Sequence, residues 1–510
     1  MGAQVLPRPR VPAHGRSPAA QVTVALLVAL GASAMTWLAS SQRPLTAVAA
    51  LFVVLASLWL ATTRRTLLAL LLTMVYLGLL DGYVKLGTGS PYATFVRDVL
   101  LYALVAGLLA RAAIGRQRLP VPPLSGWVLA FVVVVLVQLA NPQAGTLAHS
   151  LAGVRQHLEF VPLFFLTYAF VRTTRALRTF VIVLALIAAA NGVAGWVQFN
   201  ETPQQLAAWG PGYAQRVLGQ GGFQLAGRTF ATQDGQNRTR PFGLGSDAGA
   251  GGVFGAFALG GIMALAALFT RMRYLLLAVV MAIGATTAVV TSQGRAIIVA
   301  AVVVMFAFGL LGATSRGRVT TLIGFALAAL VGVFVVQAIV GSNGASDLRY
   351  QGLTPSSFAQ TADSARGKSI AHIPDNIAAY PFGAGLATAG PASGAAPGAS
   401  KLAGVVDAES EFSFLTIETG IAGLLVLTGF ALRLVLLGLR CRREPDRETR
   451  LLLAAIVAPL AAILVLFFPS ALTVSVPAGP YLWAAGGIVA YWLVTRPAEL
   501  RRGAGLSAAG

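Results

Sequence analysis

The chain has 510 residues, of which 56 % are hydrophobic and 11 % charged, with a mean hydropathy of +0.76 and a formal net charge of +20. A soluble domain carries roughly 25 % charged residues, so this composition excludes an ordinary water-soluble fold. Nucleic-acid binding is also excluded, because the basic residues are spread over short segments and form no dense stripe.

Apolar runs recur along the whole chain, and most are long enough to cross the roughly 30 Å of a bilayer core as helices. A helix is also the element that satisfies its own backbone hydrogen bonds in lipid. The sequence therefore predicts an all-α, polytopic transmembrane helical bundle of about 14 spans. The expected spans are residues 19–39, 46–62, 66–82, 96–112, 124–141, 150–171, 177–198, 247–270, 274–291, 295–313, 319–341, 410–432, 451–468 and 478–495.

Two long polar connectors divide these spans. The predicted organisation is an N-terminal tail at 1–18, helices at 19–198, a loop at 199–246, helices at 247–341, a large loop at 342–409, helices at 410–495 and a tail at 496–510. The Gly-, Ala-, Ser- and Pro-rich stretch 383–400 in the second loop has a composition that cannot fix one conformation, and its distal part is expected to be mobile.

The distribution of basic residues predicts the orientation. Connectors rich in Lys and Arg stay in the cytoplasm, and most of the 37 basic residues fall on alternate connectors whereas most acids fall on the others. The chain is therefore expected in a bacterial inner (cytoplasmic) membrane, with both termini cytoplasmic and the two long loops external. Anionic lipid headgroups are the expected partners of the cytoplasmic arginines.

Within the span predicted at 150–171, Arg155 and Glu159 lie four residues apart on one helical face. Ionisable groups at membrane depth cost about 2.5 to 3.5 kcal/mol each on insertion scales. The pair is therefore expected either to join neighbouring helices or to form an anion-binding arginine that a carboxylate orients.

Arginines also accompany two other external turns. Arg295 opens a span after a tight turn, where a cation opposes the positive end of the helix dipole and an anionic ligand would relieve the conflict. The alternative is an interfacial arginine that reaches the lipid headgroups. Arg238 and Arg240 precede a glycine-containing segment, and together they suit a diphosphate.

Three acids, Asp407, Glu409 and Glu411, lie where the second long loop returns to the membrane. They predict either an N-terminal charge cap for the following helix or a general base with a raised pKa.

In chain order, five short sequences resemble those of the O-antigen ligase and O-antigen polymerase superfamily of membrane glycosyltransferases. They are GVR at 153–155, RPFG at 240–243, SQGR at 292–295, YPFGAG at 380–385 and ETGIAG at 418–423. The resemblance covers roughly residues 150–440.

The resemblance implies an inverting glycosyltransferase that works outside the membrane without a cofactor, nucleotide sugar or obligatory metal. Arg240, Arg295 and Glu409 are the expected catalytic residues, because guanidinium groups suit phosphate oxygens and a carboxylate suits a base. The expected substrate-binding residues are Arg155, Glu159, Arg238, Asp407 and Glu411. The expected partners are a polyprenyl-diphosphate-linked glycan donor, a glycan or lipid-linked glycan acceptor and membrane lipids, with a flippase and a chain-length regulator as further candidates.

Ligases of this superfamily usually carry a His-Asn pair shortly before the ExGxxG helix, where this chain has Glu409 and Ser410. This difference favours a polymerase of O-antigen, capsule or exopolysaccharide repeat units over a lipid A core ligase. A polytopic transporter or lipid-linked oligosaccharide flippase is the alternative, although it would need polar residues near the membrane midplane. A peptidoglycan polymerase of the shape-and-division family is a third hypothesis, but the chain lacks the motifs of that family.

Overall fold

A computed structural model gives the architecture of the chain. It describes residues 44–90, 92–116, 121–144, 146–220, 228–231, 237–312, 369–389 and 410–501. Helices dominate these residues, and the strands found among them form one two-stranded antiparallel hairpin. The expected helical class is confirmed, with this small hairpin as an addition to the predicted all-α fold.

The helices largely follow the predicted apolar runs. The first part of the chain forms α1 (Pro44–Thr62), α2 (Thr66–Thr88), α3 (Ala93–Ile114), α4 (Ser125–Val137), α5 (Leu147–Leu158), α6 (Pro162–Phe170) and α7 (Thr174–Asn200). The predicted loop 199–246 holds α8 (Pro203–Ala207), α9 (Pro211–Leu218), β1 (Thr229–Ala231) and β2 (Asn237–Thr239). The remainder forms α10 (Ala250–Leu268), α11 (Met272–Thr291), α12 (Arg295–Gly312), α13 (Ile373–Ala379), α14 (Glu411–Gly438), α15 (Arg447–Leu466) and α16 (Ala478–Ala490).

Eight helices in the described part of the chain are long and apolar enough to cross a membrane, namely α2, α3, α7, α10, α11, α12, α14 and α15. Shorter apolar helices occur in α1 and α4. This supports the expected multi-pass membrane protein. The spans predicted at 19–39 and 319–341 lie outside the described residues.

The predicted continuous span 150–171 is wrong. Residues 159–161 form a turn that separates α5 from α6, and Pro162 begins α6. Proline lacks an N–H and its ring clashes with the preceding turn, so a helix cannot run through it undisturbed. The hydrogen bond from Val161 N–H to Leu158 O (3.1 Å) shows the tighter turn that replaces the helix.

The chain divides into two compact units, Met1–Arg64 with Tyr102–Pro120, and Arg65–Leu101 with Val121–Gly510. In the first unit, the described residues belong to α1, the connector after it and the C-terminal part of α3. Gly107 of α3 lies so close to α1 that an added Cβ would be 2.3 Å from Ala61 O. Arg111 donates to Ala61 O and Thr63 O, both at 3.1 Å, and so binds carbonyls at the end of α1.

In the second unit, small residues allow the central helices to approach closely. A Cβ on Gly192 of α7 would lie 1.8 Å from Gly284 O of α11, and a Cβ on Gly255 of α10 would lie 2.5 Å from Ala285 O. Membrane helices gain little from hydrophobic burial against lipid, so such close packing supplies much of their association energy.

Arginines bind the last carbonyls of several helices in the second unit. Arg172 donates to Tyr168 O of α6 (3.1 Å), Arg447 to Ala267 O of α10 (3.2 Å) and Arg442 to Leu310 O of α12 (3.0 Å). These carbonyls have no partner within their own helix, and cations there also complement the helix dipole. The arginine-rich connectors therefore stabilise helix ends.

Because of this packing, Gly192→Ala should destabilise the protein by about 1–3 kcal/mol, the usual cost of overpacking, and lower its thermal unfolding temperature in detergent. Gly126→Ala is the matched control, since nothing lies within 4 Å of its Cβ position in α4. Equal unfolding temperatures for the two variants would contradict the close approach of α7 and α11.

Candidate functional site

Arg97 of α3 is the centre of a group of buried charges. Its Nη2 donates to both carboxylate oxygens of Glu159, at 2.8 and 2.6 Å, and its Nη1 donates to Asp81 Oδ2 at 3.3 Å. Only 12 % of the Arg97 side chain is exposed, against 1 % for Asp81 and 2 % for Glu159. An unpaired buried charge is strongly unfavourable, so each of these groups depends on the others.

Both carboxylates lie at irregular points of their helices. Asp81 directly follows the π-helical turn Tyr76–Leu80 within α2, and Glu159 lies in the turn between α5 and α6. π-helical turns frequently mark functional sites, and broken helices are tolerated at membrane depth where protein buries the backbone. The charged group therefore lies beside a π-helical turn of α2 and at the break between α5 and α6.

Arg155 has other partners than the sequence predicts. Its Nη2 is 3.9 Å from Glu159 Oε2, whereas its Nε donates to Asp98 and its Nη2 donates to Thr94 O at 3.0 Å. The guanidinium also lies over the ring of Phe95, 4.5 Å from its centroid. The expected Arg155–Glu159 pair is thus a minor contact, and with 29 % of its side chain exposed Arg155 is accessible from outside the group.

The RPFG sequence forms a loop that two buried amide side chains of α7 hold. Gln198 Nε2 donates to Gly243 O at 2.7 Å, and Gln198 Oε1 accepts from the N–H groups of Phe242 (2.8 Å) and Gly243 (3.0 Å). Asn191 Oδ1 accepts from Leu244 N–H at 2.9 Å. Because these bonds satisfy the backbone groups, the loop has a defined path despite its glycines.

Arg240 joins the RPFG loop to the SQGR turn. Its Nε donates to Ser292 O at 2.9 Å. Its Nη2 fills the space beside two glycines, since an added Cβ would lie 2.5 Å from it at Gly249 and 2.7 Å from it at Gly294. Arg295 follows directly as the first, half-buried residue of α12. The structure therefore brings the two expected arginine motifs together.

The remaining arginines of this region surround the same loop. Arg238, an expected substrate-binding residue, is half-buried on β2 opposite Phe230 of β1. Asp247 Oδ1, at the end of the loop, accepts from Arg216 Nη1 at 3.3 Å and from Arg228 Nε at 3.2 Å. Asp247 thus fixes two basic side chains next to the loop.

Gly82 connects the RPFG loop to the buried charges. A Cβ on Gly82 would lie 2.2 Å from the carbonyl carbon of Gly245 and 2.4 Å from Ser246 N. The backbone after RPFG therefore lies directly on α2, one residue beyond Asp81. Glycine is required at such a close approach of two backbones.

The YPFGAG and ETGIAG sequences also meet. Ala384 N–H donates to Ile417 O at 2.6 Å, and Ile421 N–H donates to Pro381 O at 3.1 Å. Gly420 interrupts α14 with a φ of 66° and a ψ of −168°, a conformation that side chains disfavour. A Cβ on Gly383 would lie 2.8 Å from Gly420 N, so the two sequences pack backbone against backbone.

His157 and Glu418 form a fully buried pair beside this contact. His157 Nε2 is 2.8 Å from Glu418 Oε2, and the imidazole stacks on Phe414 with ring centroids 5.1 Å apart. The other oxygen, Glu418 Oε1, accepts from Ala389 N–H at 3.1 Å. Glu418 is thus the residue that holds the end of the described segment 369–389.

One stripe of α5 carries this segment. His149, Gly153 and His157 are spaced four residues apart and therefore share a helical face. His149 Nε2 is 2.7 Å from Ala387 O, and a Cβ on Gly153 would lie 2.6 Å from Leu386 Cβ. Residues 383–389 are accordingly buried and hydrogen-bonded, whereas the distal part of the predicted mobile stretch, 390–400, lies outside the described residues.

The acids predicted near the second loop are described only in part. Glu411 opens α14 and is fully buried, where its carboxylate accepts from Leu472 N–H (2.5 Å), from Thr473 N–H (3.0 Å) and from the Thr473 hydroxyl. These contacts tie the start of α14 to residues 472–473 and favour a structural role over substrate binding for Glu411, whereas the N-cap of α14 is Ser410, whose side chain accepts from Ser413 N–H. Asp407 and Glu409 lie outside the described residues.

Sequence reasoning missed residues that organise the site, among them Arg97, Asp81, Asp98, Gln198 and His157. A usable signal was present, because Asp81 and the Arg97–Asp98 pair fall inside or at the edge of predicted spans, where ionisable groups are costly. His157 also falls inside a predicted span, at 150–171, whereas Gln198 is not ionisable and gave no such signal. The partners of Gln198 and His157 lie 45 and 261 residues away in the chain, so the sequence could not identify them.

Comparison with known proteins finds no family model, no curated protein and no solved structure that matches the chain. Among the described residues, no group of three or more His, Cys, Asp or Glu side chains has an arrangement that could hold a metal ion. The chemistry of the site therefore has to be inferred from its own residues.

Since Arg97 neutralises two buried carboxylates, Arg97→Ala should destabilise the protein by about 3–5 kcal/mol, the usual cost of leaving a buried charge unpaired. The measurement is thermal unfolding in detergent, with the exposed Arg271→Ala as the matched control. Arg97→Leu combined with Glu159→Gln should recover part of the loss. An Arg97→Ala variant as stable as the control would contradict the central role of Arg97.

Proposed function

We propose that this chain is an O-antigen ligase- or polymerase-like membrane glycosyltransferase. It would transfer or polymerise polyprenyl-diphosphate-linked glycan repeat units on the external face of a bacterial inner membrane, with polymerisation favoured over ligation. The donor is a lipid diphosphate-linked glycan, and the acceptor is a glycan or a lipid-linked glycan.

One observation carries the proposal: five motifs dispersed over residues 153–423 are linked by continuous contacts. RPFG meets SQGR through Arg240, and the backbone that follows RPFG lies on α2 beside Asp81. Arg97 joins Asp81 to Glu159, on the same helix end as the GVR motif. Gly153 of that motif contacts the segment that packs against ETGIAG. Motifs that match a family by chance have no reason to converge in this way.

The arginines suit a diphosphate leaving group. Guanidinium groups bind phosphate oxygens through paired, charge-assisted hydrogen bonds that strengthen where water is scarce. In the proposed reaction, a hydroxyl oxygen of the acceptor attacks the anomeric carbon of the donor. The bond from that carbon to the diphosphate oxygen breaks, and the lipid diphosphate leaves with the bonding electrons. Arg155, Arg240 and Arg295 would stabilise the developing negative charge.

The hydroxyl proton must pass to a base during the attack. Glu409 remains the proposed base, with Asp407 beside it, because both directly precede α14 in the chain. No metal, cofactor or nucleotide sugar is required in this scheme, since the donor already carries a diphosphate leaving group.

The proposed topology has about 14 spans, cytoplasmic termini and external loops at 199–246 and 342–409. The arginine-rich connectors support it, because α6, α10 and α12 all end at arginines that bind their last carbonyls. RPFG and SQGR precede α10 and α12 and therefore lie at the opposite ends of these two helices.

A lipid-linked oligosaccharide flippase or another transporter is the second candidate. Buried charges at interrupted helices favour it, because transporters often bind their substrates at broken helices. Asp81, however, lies seven residues before the end of α2, about 10 Å along the helix axis, and thus nearer one membrane surface than the midplane. This position favours chemistry at a surface.

Cysteine labelling tests the orientation. Gln204→Cys on α8 and Arg271→Cys before α11 both introduce an exposed thiol, while the native Cys441 is buried. A membrane-impermeant maleimide added to intact spheroplasts should label the first variant and leave the second unlabelled until the cells are lysed. The reverse pattern would contradict the external site.

Deletion of the gene tests the activity, with surface polysaccharide and the lipid-linked pool analysed by gel electrophoresis and mass spectrometry. Accumulation of single lipid-linked repeat units at the external face would indicate a polymerase. Accumulation of long unattached polymer would indicate a ligase, and lipid-linked units trapped on the cytoplasmic face would indicate a flippase.

Arginine variants test the mechanism in the same strain. Arg240→Ala and Arg295→Ala should each lower polymer formation about 100-fold or more, by analogy with the loss of one transition-state donor. Arg271→Ala, exposed before α11, should leave it unchanged. Normal polymer from both variants, at normal expression, would remove these arginines from the reaction.

A further inference from the structure

One face of α5 leads from the protein surface to the buried charges. Leu147, Leu151 and Arg155 are spaced four residues apart and share this face, and Glu159 follows at the same spacing in the turn after the helix. The exposed fraction falls along the face, from 67 % for Leu147 and 51 % for Leu151 to 29 % for the Arg155 side chain and 2 % for that of Glu159. Arg155 therefore lies at the border between the surface and the buried charges.

The segment 383–389 lies on the opposite side of α5. Gly153 and His149 contact this segment, and each precedes a member of the exposed face, Arg155 or Leu151, by two residues. Two residues of an α-helix correspond to a rotation of about 200° around its axis. A ligand that approaches Arg155 therefore does not have to displace the segment.

Three residues from one turn of α3 hold the guanidinium group of Arg155. Asp98 accepts a hydrogen bond from its Nε, the carbonyl oxygen of Thr94 accepts one from its Nη2 at 3.0 Å, and the centroid of the Phe95 ring lies 4.5 Å from its Cζ. Hydrogen bonds from two different nitrogens set the direction of this planar group, and the ring restricts its movement out of the plane. None of these three contacts uses Nη1.

The same turn of α3 is fixed to the end of α5. Arg97 donates two hydrogen bonds to Glu159, at 2.8 and 2.6 Å, and its Nε lies 3.8 Å from Asp98 Oδ1. Asp98 thus contacts one guanidinium group that is almost fully buried and another that is partly exposed. The carboxylate that holds Arg155 is therefore itself held by a rigid part of the site.

A guanidinium group that is held in advance binds an oxyanion more tightly than one that moves freely. An arginine side chain has many rotamers, and it loses this freedom on binding unless the protein has already removed it. The charge of Asp98 itself opposes an anion. The favourable contribution of Asp98 to anion binding would therefore come from the position that it gives Arg155.

We propose that Asp98 is a positioning residue for Arg155, with Phe95 in support, and that Arg155 is thereby set to bind an oxyanion that arrives from the exposed face of α5. Asp98 does not touch this oxyanion and acts on it only through Arg155. That the oxyanion is the diphosphate of a lipid-linked glycan rests on the proposed function.

A double-mutant cycle tests whether Asp98 acts through Arg155. The full-length protein in nanodiscs is titrated with inorganic diphosphate in metal-free buffer of low ionic strength, and binding is measured by isothermal titration calorimetry. Arg155→Ala and Asp98→Ala should each weaken binding about tenfold, the effect of losing one hydrogen bond to a charged group. The double variant should bind no more weakly than Arg155→Ala alone, because Asp98 then has no side chain to position.

Asp98→Asn separates position from charge. Its amide oxygen can still accept from Arg155 Nε, while the negative charge that opposes an anion is gone, so this variant should bind diphosphate at least as tightly as the wild type. Phe95→Leu removes the ring under the guanidinium and should weaken binding about threefold. Glu448→Ala is the matched control, since the Glu448 carboxylate also binds an arginine, Arg178, at the start of α15, and it should bind diphosphate like the wild type.

Unfolding temperatures, measured on the same samples, show whether a variant has merely lost its structure. If Asp98→Ala does not fold, Phe95→Leu takes its place in the cycle, and its effect should likewise vanish in the Arg155→Ala background. A further loss in the double variant, or equal weakening by Asp98→Asn and Asp98→Ala, would overturn the inference. No diphosphate binding by the wild type, or wild-type affinity in Arg155→Ala, would overturn it as well.

The titrations contain no glycan and no turnover, so they are independent of the proposed reaction. The expected cycle together with normal polymer in an Arg155→Ala strain would reject the participation of Arg155 in the proposed transfer and leave the role of Asp98 intact. Loss of polymer in an Arg155→Ala strain but not in an Asp98→Ala strain would reject the role of Asp98 alone.

Discussion

The contact between Arg97 and Glu159 is the interaction on which the candidate site depends. Glu159 lies where Pro162 ends the helical path of α5, so its carboxylate would be buried without compensation if Arg97 did not reach it with two hydrogen bonds. Arg97 also binds Asp81 on α2, and a buried guanidinium with several carboxylates is favourable only when its geometry satisfies most of its donors. The three elements are thereby held in one arrangement, and Arg155 is left on the more exposed side of it.

Near these buried charges, several segments pack backbone against backbone, whereas the helices of an ordinary bundle pack through their side chains. Gly82 carries the loop after RPFG, and Gly383 lies against Gly420. Non-helical segments at membrane depth need partners for every backbone group, and buried side chains of neighbouring helices supply them: Gln198 and Asn191 for one loop, Glu418 for the other. The site therefore requires glycines where two backbones approach closely, and it requires buried side chains that hydrogen-bond to the backbone groups of its loops.

The sequence predicts the helices well and the site only in part. Apolar runs gave most helix positions to within a few residues, because membrane thickness sets the length of a span. The break at residues 159–161 was missed, although Pro162 was visible, because the flanking residues remain apolar. The motifs drew attention to Arg240 and Arg295, and the segments that carry them are in contact. Arg97 and His157 were missed, because their partners Glu159 and Glu418 lie 62 and 261 residues away in the chain. For Glu411, the sequence allowed either a helix cap or a general base, and its contacts with Thr473 favour a structural role.

The π-helical turn Tyr76–Leu80 has a consequence for how this chain can vary. Such a turn accommodates one extra residue in a helix, and each residue rotates the following side chains by about 100° around the axis. The wider turn takes up this rotation, so Asp81, Gly82, Tyr83 and Lys85 keep the faces that an uninterrupted α-helix would give them. A chain that lacked the additional residue could therefore continue as regular α-helix and present the same side chains to the same neighbours, so the length of this segment can change by one residue without rearranging the site.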